Sequence, residues 1–423
     1  MEYTKKDLGS YQLHLIKTKK FKTIYVRVMF RTPIKKDTIT IRNILCDMFM
    51  QSSKEYDSKR ALTIKAQDLY AADISTSNNR LGNYINTNFY LTVLNDKYTE
   101  KGNFKEAVKF LSEMIFNPDV SDGKFNPDKL DIVKNSCKNA LDSIKEDSKS
   151  YSLIRMFEAF DKDAASSYRL VGYSEDLDKI DASNLYEYYQ EMIKTNLVDI
   201  FVIGDIDEEE MVDLFRSTFK LKVLKKQRVP YLLPDKPCRK KRLFAKEEID
   251  NAQSKLAIAC RCNNLSEYER NYALTLYNII LGGGSDSKLF KEVREKNSLC
   301  YVIHSVPNKL DNVLIIQAGI DRDNYKKTVD LIDKNLMDMR KGKFSDTDIK
   351  IAKEYYETAM EEVEESQERI VDNYLMMDLI GTDTIEAKRE KMSKVTKEEI
   401  VRVAKKIKMD TVFCLEGVKD ERD

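Results

Sequence analysis

The chain has 423 residues, of which 42% are apolar and 34% charged, and its 72 Lys and Arg offset 71 Asp and Glu to a net charge of +1. The length calls for about two to three domains, and the neutral balance offers no bulk attraction for nucleic acid or an acidic membrane surface. Thirteen Gly, seven Pro and no Trp exclude collagenous and linker-like chains. No run approaches the roughly 18 apolar residues of a membrane span. Met1-Glu-Tyr-Thr-Lys-Lys-Asp7 has charges with no apolar stretch behind them, so a cytoplasmic protein is expected.

In chain order, His14 falls in a hairpin strand between Leu13 and Leu15. Arg42-Asn-Ile-Leu45 opens an apolar helix that runs into the small polar turn Gln51-Ser-Ser53. Ala71-Ala-Asp-Ile-Ser-Thr-Ser77 alternates, with Ala72, Ile74 and Thr76 set against Ala71, Asp73 and Ser75, the pattern of a half-buried strand. Phe89-Tyr-Leu-Thr-Val-Leu94 reads as a strand, Asn103 to Leu111 as the helix after it, and Leu197 to Gly204 as a closing strand. Periodicity then fails and prolines cluster, which marks residues 225–245 as a linker. Its basic group, Arg239-Lys-Lys-Arg242, lacks interleaved aromatics and reads as a solvated hinge instead of a nucleic-acid patch.

The order then repeats. Arg270-Asn-Tyr-Ala273 opens a second apolar helix ending in Gly282-Gly-Gly-Ser285; Val313 to Ala318 is followed by Asn324 to Ile332; Asp410 to Gly417 closes the chain's second half. The offset drifts from 228 (42 to 270) through 221 (103 to 324) to 213 (197 to 410), as a duplication with small deletions would give. The expected fold is therefore α+β in two homologous halves, 1–224 and 246–423, each a largely antiparallel sheet with helices on one face.

His14 and His304 are the only imidazoles, so a two- or three-His zinc site would have to use both. The seven cysteines are odd in number and scattered, as reduced and mostly buried thiols are. Cys260-Arg-Cys262 sits in an apolar run and marks one face of a strand. The triple Gly follows a helix instead of a strand and lacks Gly-Lys-Ser/Thr, which excludes a P-loop. It reads locally as a helix end with a left-handed Gly, and with Ser285 or Asp286 capping the next helix.

The longer string Leu281-Gly-Gly-Gly-Ser-Asp-Ser-Lys-Leu-Phe-Lys-Glu-Val-Arg-Glu-Lys-Asn-Ser-Leu-Cys-Tyr301 resembles the C-terminal signature of the pitrilysin/insulinase-type metallopeptidases, the inverzincins. Gly172-Tyr-Ser-Glu175, Leu185-Tyr-Glu-Tyr-Tyr189, Val202-Ile-Gly-Asp-Ile-Asp207 and Asp250 to Leu256 extend the likeness along nearly the whole chain. The resemblance implies two halves facing across a chamber, like a processing-peptidase clamshell, that takes unfolded peptides.

Active members of that family carry His-x-x-Glu-His on the first helix, holding zinc and activating water. Set against the turn Gln51-Ser-Ser53, those five positions are here Asn43-Ile-Leu-Cys46-Asp47, and the helix that supplies the third ligand reads Ile132 to Ala140 without a carboxylate. Arg294 and Tyr301 match the family's substrate-facing pair, and Ala72, Asp73, Ile74 and Ser75 fall on the strand where the family adds peptide. The chain thus resembles the family's non-catalytic, YmfF-like bacterial branch. The resemblance implies a substrate-binding subunit with no metal or cofactor of its own, paired with a homologue that holds zinc, and with no nucleic-acid or membrane partner. The alternative is a peptide-binding scaffold without proteolytic role.

Overall fold

The computed structural model describes residues 1–222 and 227–418; Val223 and Leu224, and Lys225 and Lys226 of the expected linker, lie outside the described residues. Two compact units are present: residues 1–143 with 169–230, and residues 144–168 with 231–423. Contiguous halves were expected. The segment 144–168 instead leaves the first half and packs with the second.

The first unit begins with β1 (Glu2–Asp7), β2 (Gln12–Lys17) and β3 (Thr23–Pro33), then α1 (Ile39–Met48) and α2 (Lys59–Asp68). The hairpin β4 (Asp73–Leu81) and β5 (Tyr84–Leu94) leads to α3 (Asn103–Phe116), a two-residue hairpin of β6 (Val120–Ser121) and β7 (Lys124–Phe125), and α4 (Pro127–Asp142). After α5 (Ser148–Phe160), which belongs to the second unit, come α6 (Ser174–Leu177), α7 (Ala182–Thr195), β8 (Leu197–Gly204) and α8 (Glu208–Thr218).

The sheet order is β1-β2-β8-β3-β5-β4, antiparallel except for the parallel pair of β2 and β8. Alternation decides the faces: Val26, Val28 and Phe30 of β3 and Phe89, Leu91 and Val93 of β5 join one core with Ile44, Leu45 and Met48 of α1 and Ala107, Val108 and Leu111 of α3. The start of α4 is set by Asn126, which caps the helix, followed by Pro127 in its first turn.

The second unit contains β9 (Leu243–Ile249), β10 (Ser254–Cys262), a π-helical turn at Glu269–Ala273 running into α9 (Leu274–Gly282), a second π-helical turn at Phe290–Glu295, β11 (Cys300–Asn308) and β12 (Val313–Ile320). Helices α10 (Tyr325–Arg340), α11 (Asp346–Glu364), α12 (Gln367–Ile380), α13 (Ile385–Ser393) and α14 (Lys397–Lys406) precede β13 (Ile407–Gly417). Its order, β9-β13-β10-β12-β11, repeats β2-β8-β3-β5-β4 of the first unit, down to the parallel first pair. The duplication is thus visible as topology.

Both faces of this second sheet are covered. Leu256, Ile258, Cys260 and Cys262 face the helices, so the Cys260/Cys262 pair does share one face of a strand. Ala257, Ala259, Phe413 and Leu415 pack on the other face against Tyr151, Met156 and Phe160 of α5. No cysteine forms a disulfide, and among the described residues no helix is long and apolar enough to cross a membrane.

Two local expectations are corrected. Gly282, Gly283 and Gly284 do not take left-handed φ. Gly282 is there for space, since a Cβ would meet Ser305 Oγ at 2.5 Å, and one on Gly283 would meet the Ile279 backbone at 2.8 Å. In the basic group at 239–242, Lys240, Lys241 and Arg242 are exposed as expected, but Arg239 is anchored. Asp410 on β13 is fully buried and requires cations: Arg261 Nε donates to it at 3.1 Å, the Arg239 backbone N–H at 2.9 Å, and the Arg239 guanidinium pairs with it while also donating to the Ala159 and Phe160 carbonyls at 3.0 Å. Arg239 therefore fastens both the linker and the end of α5 to the second sheet.

Candidate functional site

Asn43, Cys46 and Asp47 on α1 line an open cleft of about 210 Å³ together with Ser136, Cys137 and Ala140 of α4 and Thr76 and Asn78 of β4. The helix expected to bring a third ligand is thus the one that faces these positions. Asn43 is engaged at both ends, donating from Nδ2 to the Leu170 carbonyl at 2.6 Å and accepting at Oδ1 from Asn78 Nδ2 at 2.9 Å. Asn78 also donates to the Arg42 carbonyl at 3.2 Å and accepts from Thr87 at 2.7 Å, while Thr76 Oγ1 donates to the Cys46 carbonyl at 3.1 Å. The cleft floor is a closed polar network that binds helix to strand.

Burial disfavours the charged forms of its thiols and its carboxyl. Burial pushes the Cys46 thiol up to about 12. The Cys137 thiol is raised by burial and then by the negative charge of Asp47, whose own carboxyl is raised by desolvation between the cleft walls.

β4 lies at the end of its sheet, hydrogen-bonded to β5 alone. Asp73 and Ser75 are exposed, and Ile74 packs half-buried against the core as the alternation implied. Ala72 is a correction: it precedes the strand, and its N–H closes the end of α2 on the Ala66 carbonyl at 2.9 Å. Tyr70 and Ala71, at φ 58° and 55°, turn the chain out of that helix.

The two-residue turn Gly82-Asn83, with Gly82 at φ 58°, joins the closing pair Leu81 and Tyr84. Counting back in twos from that pair, Asn79, Ser77, Ser75 and Asp73 exchange bonds with β5. The backbone groups of Ile74 and Thr76 point outward, to the edge where β4 has no neighbouring strand.

Arg294 belongs to the π-helical turn at 290–295 and lies over the Phe290 ring, 4.7 Å from its centroid. Tyr301 is the extra residue of a β-bulge: Cys300 pairs with Ile320 and Val302 with Gly319, leaving Tyr301 unmatched and 60% exposed. Each sits on a backbone irregularity of the kind that re-aims a side chain. Among the described residues neither side chain makes a hydrogen bond or an ion pair, and the structure records no contact between the two.

Comparison with known proteins agrees with this geometry. Residues 179–356 match the family model described as the Peptidase M16 inactive domain. Over 415 residues, 97% of each chain, the sequence is 26% identical to a Bacillus subtilis protein named probable inactive metalloprotease YmfF. A crystal structure of a conserved protein from Enterococcus faecalis superposes over 99% of each chain with a TM-score of 0.91 at 29% identity. Along its whole length the chain is similar to inactive M16-type peptidase homologues. The peptidase M16 inactive domain from Pseudomonas fluorescens shares the fold, with a TM-score of 0.79 at 15% identity over 100% of both chains.

The M16 zinc does not fit the residues present. The cleft offers two neutral thiols, a desolvated carboxyl and a carboxamide already bonded at both ends. Among the described residues, no three of its ligand atoms lie within 4.8 Å of one another. Zinc would require deprotonated thiolates or neutral imidazole converging on one point. The residue that sequence reasoning missed is Asn78. Extending the alternation of Ile74 and Thr76 by one step would have placed it on the helix-facing side.

Proposed function

We propose that this chain is a non-catalytic, substrate-binding subunit of a two-chain M16 peptidase in the cytoplasm. A homologue carrying His-x-x-Glu-His supplies zinc and water, and this chain supplies Arg294, Tyr301 and the outward edge of β4 to an unfolded peptide. The observation that supports it is a contrast. At the position set against the M16 zinc motif Asn43 is bonded at both ends, whereas Arg294 and Tyr301 stand exposed on a π-helical turn and a β-bulge with their side-chain donors uncommitted. A guanidinium can hold a peptide carboxylate or carbonyl with two donors, and a phenol can donate to a developing oxyanion. The test is reconstitution with a His-x-x-Glu-His homologue: complex formation with peptide cleavage that neither chain performs alone supports the reading, and a stable complex whose cleavage is the same without this chain refutes it.

A peptide-binding scaffold without proteolytic role is the second reading, favoured by the same Asn43–Asn78 bond, which makes the old metal position part of the frame. Peptide affinity without any effect on a partner's cleavage would select it.

A further inference from the structure

The second unit holds a cationic cleft of about 170 Å³ between the start of α5 and the β10, β11 and β12 strands. Lys149 and Lys255 bring two like charges to it, and His304, Gln317 and Val302 form its strand wall. Other cations on or beside α5 and on β9 are matched. Lys145 pairs with Glu247 at 3.3 Å, Arg155 with Glu247 at 2.8 Å, and Lys246 with Glu416 at 3.1 Å. Among the described residues Lys149 and Lys255 have no such carboxylate. The nearest acid, Asp147, caps α5 by accepting from the Lys149 and Ser150 N–H groups, both at 3.1 Å.

The lysines are held in place. Lys255 Nζ donates to Gln253 Oε1, and Gly319 makes that possible, since a Cβ there would meet the same Oε1 at 2.8 Å. Gln317 Nε2 donates to the Lys149 carbonyl at 3.4 Å and its side chain bonds to His304. Desolvation is the main cause that lowers the Lys255 and His304 pKa values; at Lys255 the Asp147 charge opposes it, and the Lys149 charge adds to it at both groups. The Asp147 charge reaches both lysines but is shared between them and committed to the α5 N–H groups, so the recess keeps a net positive charge that an incoming anion offsets. Apolar surface continues from the cleft along β11, where Val302 and Val306 are 56% and 50% exposed on the same side of the strand.

We propose that this cleft is a carboxylate subsite for bound peptide, with Lys149 and Lys255 clasping a C-terminal or acidic side-chain carboxylate and Val302 and Val306 supporting apolar residues beside it. A small free anion satisfies the charges but not the apolar strand, which is why a peptide is the occupant. The proposal rests on the peptide-binding reading above and is separable from it.

The experiment titrates the full chain with three fluorescein-labelled peptides of one apolar sequence: a C-terminal acid, its C-terminal amide, and the amide with one internal Glu. The acid, the Glu peptide or both should bind at least tenfold more tightly than the neutral amide, and which of them does identifies the source of the carboxylate. In Lys149→Ala/Lys255→Gln that preference should vanish while amide affinity stays the same; Lys149→Ala alone, an exposed position, should already reduce it. Equal affinities for all three peptides would overturn the subsite and leave the peptide-binding reading standing. Absence of binding by any peptide would overturn both. Inorganic phosphate binding as tightly as the acid peptide would overturn the assignment to peptide.

Discussion

Asn78 Nδ2 donates to Asn43 Oδ1 at 2.9 Å, so the edge strand β4 is bonded to the helix position that the sequence resemblance sets against the first histidine of His-x-x-Glu-His. The bond makes that position a structural joint between helix and strand. Asn78→Leu leaves Asn43 Oδ1 and the Arg42 carbonyl without their donor, and it should lower stability by about 1–3 kcal/mol. In a double-mutant cycle with Asn43→Ala, the two losses should be less than additive by urea unfolding. Strict additivity would show that the bond couples nothing.

Asn43→His, Cys46→Glu and Asp47→His together should not restore a stoichiometric zinc site. The α4 wall facing them offers Ser136, Cys137 and Ala140, none a ready third ligand, and metal sites need outer-shell support as well. Metal analysis by mass spectrometry after dialysis is the measurement, and about one retained zinc per triple-variant chain would contradict the expectation. For the unmodified protein, a chelator should leave the melting temperature unchanged.

If Arg294 and Tyr301 orient the scissile carbonyl for a partner's zinc, Tyr301→Phe should cut turnover of the reconstituted pair ~100-fold, the scale of an oxyanion-donor loss. Arg294→Lys should also slow it, because an ammonium cannot reproduce the two-donor fork. Zinc content and complex formation should be unchanged. Turnover within about twofold of the original would assign the pair to structure.

The edge-strand reading separates two proline substitutions two strand faces apart. Ser75→Pro removes an N–H engaged with β5 and should melt the hairpin, whereas Ile74→Pro removes an outward N–H and should weaken peptide binding while β4 remains paired. Fluorescence anisotropy and thermal melting on the same samples distinguish the outcomes. Unaltered peptide affinity in a folded Ile74→Pro protein would place the peptide elsewhere.

Asp410 gives the protein an acid-sensitive lock. Burial alone would raise its carboxyl, but the Arg239 N–H, the Thr411 hydroxyl and the Arg261 and Arg239 charges outweigh burial and hold it below the usual value. A carboxyl lowered on folding stabilises above its unfolded pKa of about 3.9, and that contribution fades as pH falls through the folded value. Asp410→Asn should therefore lose about 3 kcal/mol near neutrality by stranding the two arginines, with the gap to the parent protein narrowing below about pH 4. A pH-independent gap in urea unfolding would exclude the linkage.

Much of the architecture was legible in the chain. Alternation at 89–94 and 313–318 marked strands, the drift of repeated segments marked two similar sheets, and the residue types at 43, 46 and 47 showed that the two imidazoles and the Glu of His-x-x-Glu-His are missing, which holds in any fold. Local periodicity records which face of an element is buried, and the duplication records that two such arrangements exist.

Tertiary structure alone decided the rest. Helix α5 packs with the second unit because its Tyr151, Met156 and Phe160 meet Ala257 and Phe413, which lie far downstream in the chain. Arg239 is structural because a buried Asp410 lies 171 positions downstream. The bulge that turns Tyr301 outward is one residue of mismatch against β12, and the Lys149/Lys255 cleft unites a helix start with a distant strand. Each of these depends on which partner a segment meets, and periodicity along the chain carries the burial of a residue but not the identity or register of what buries it.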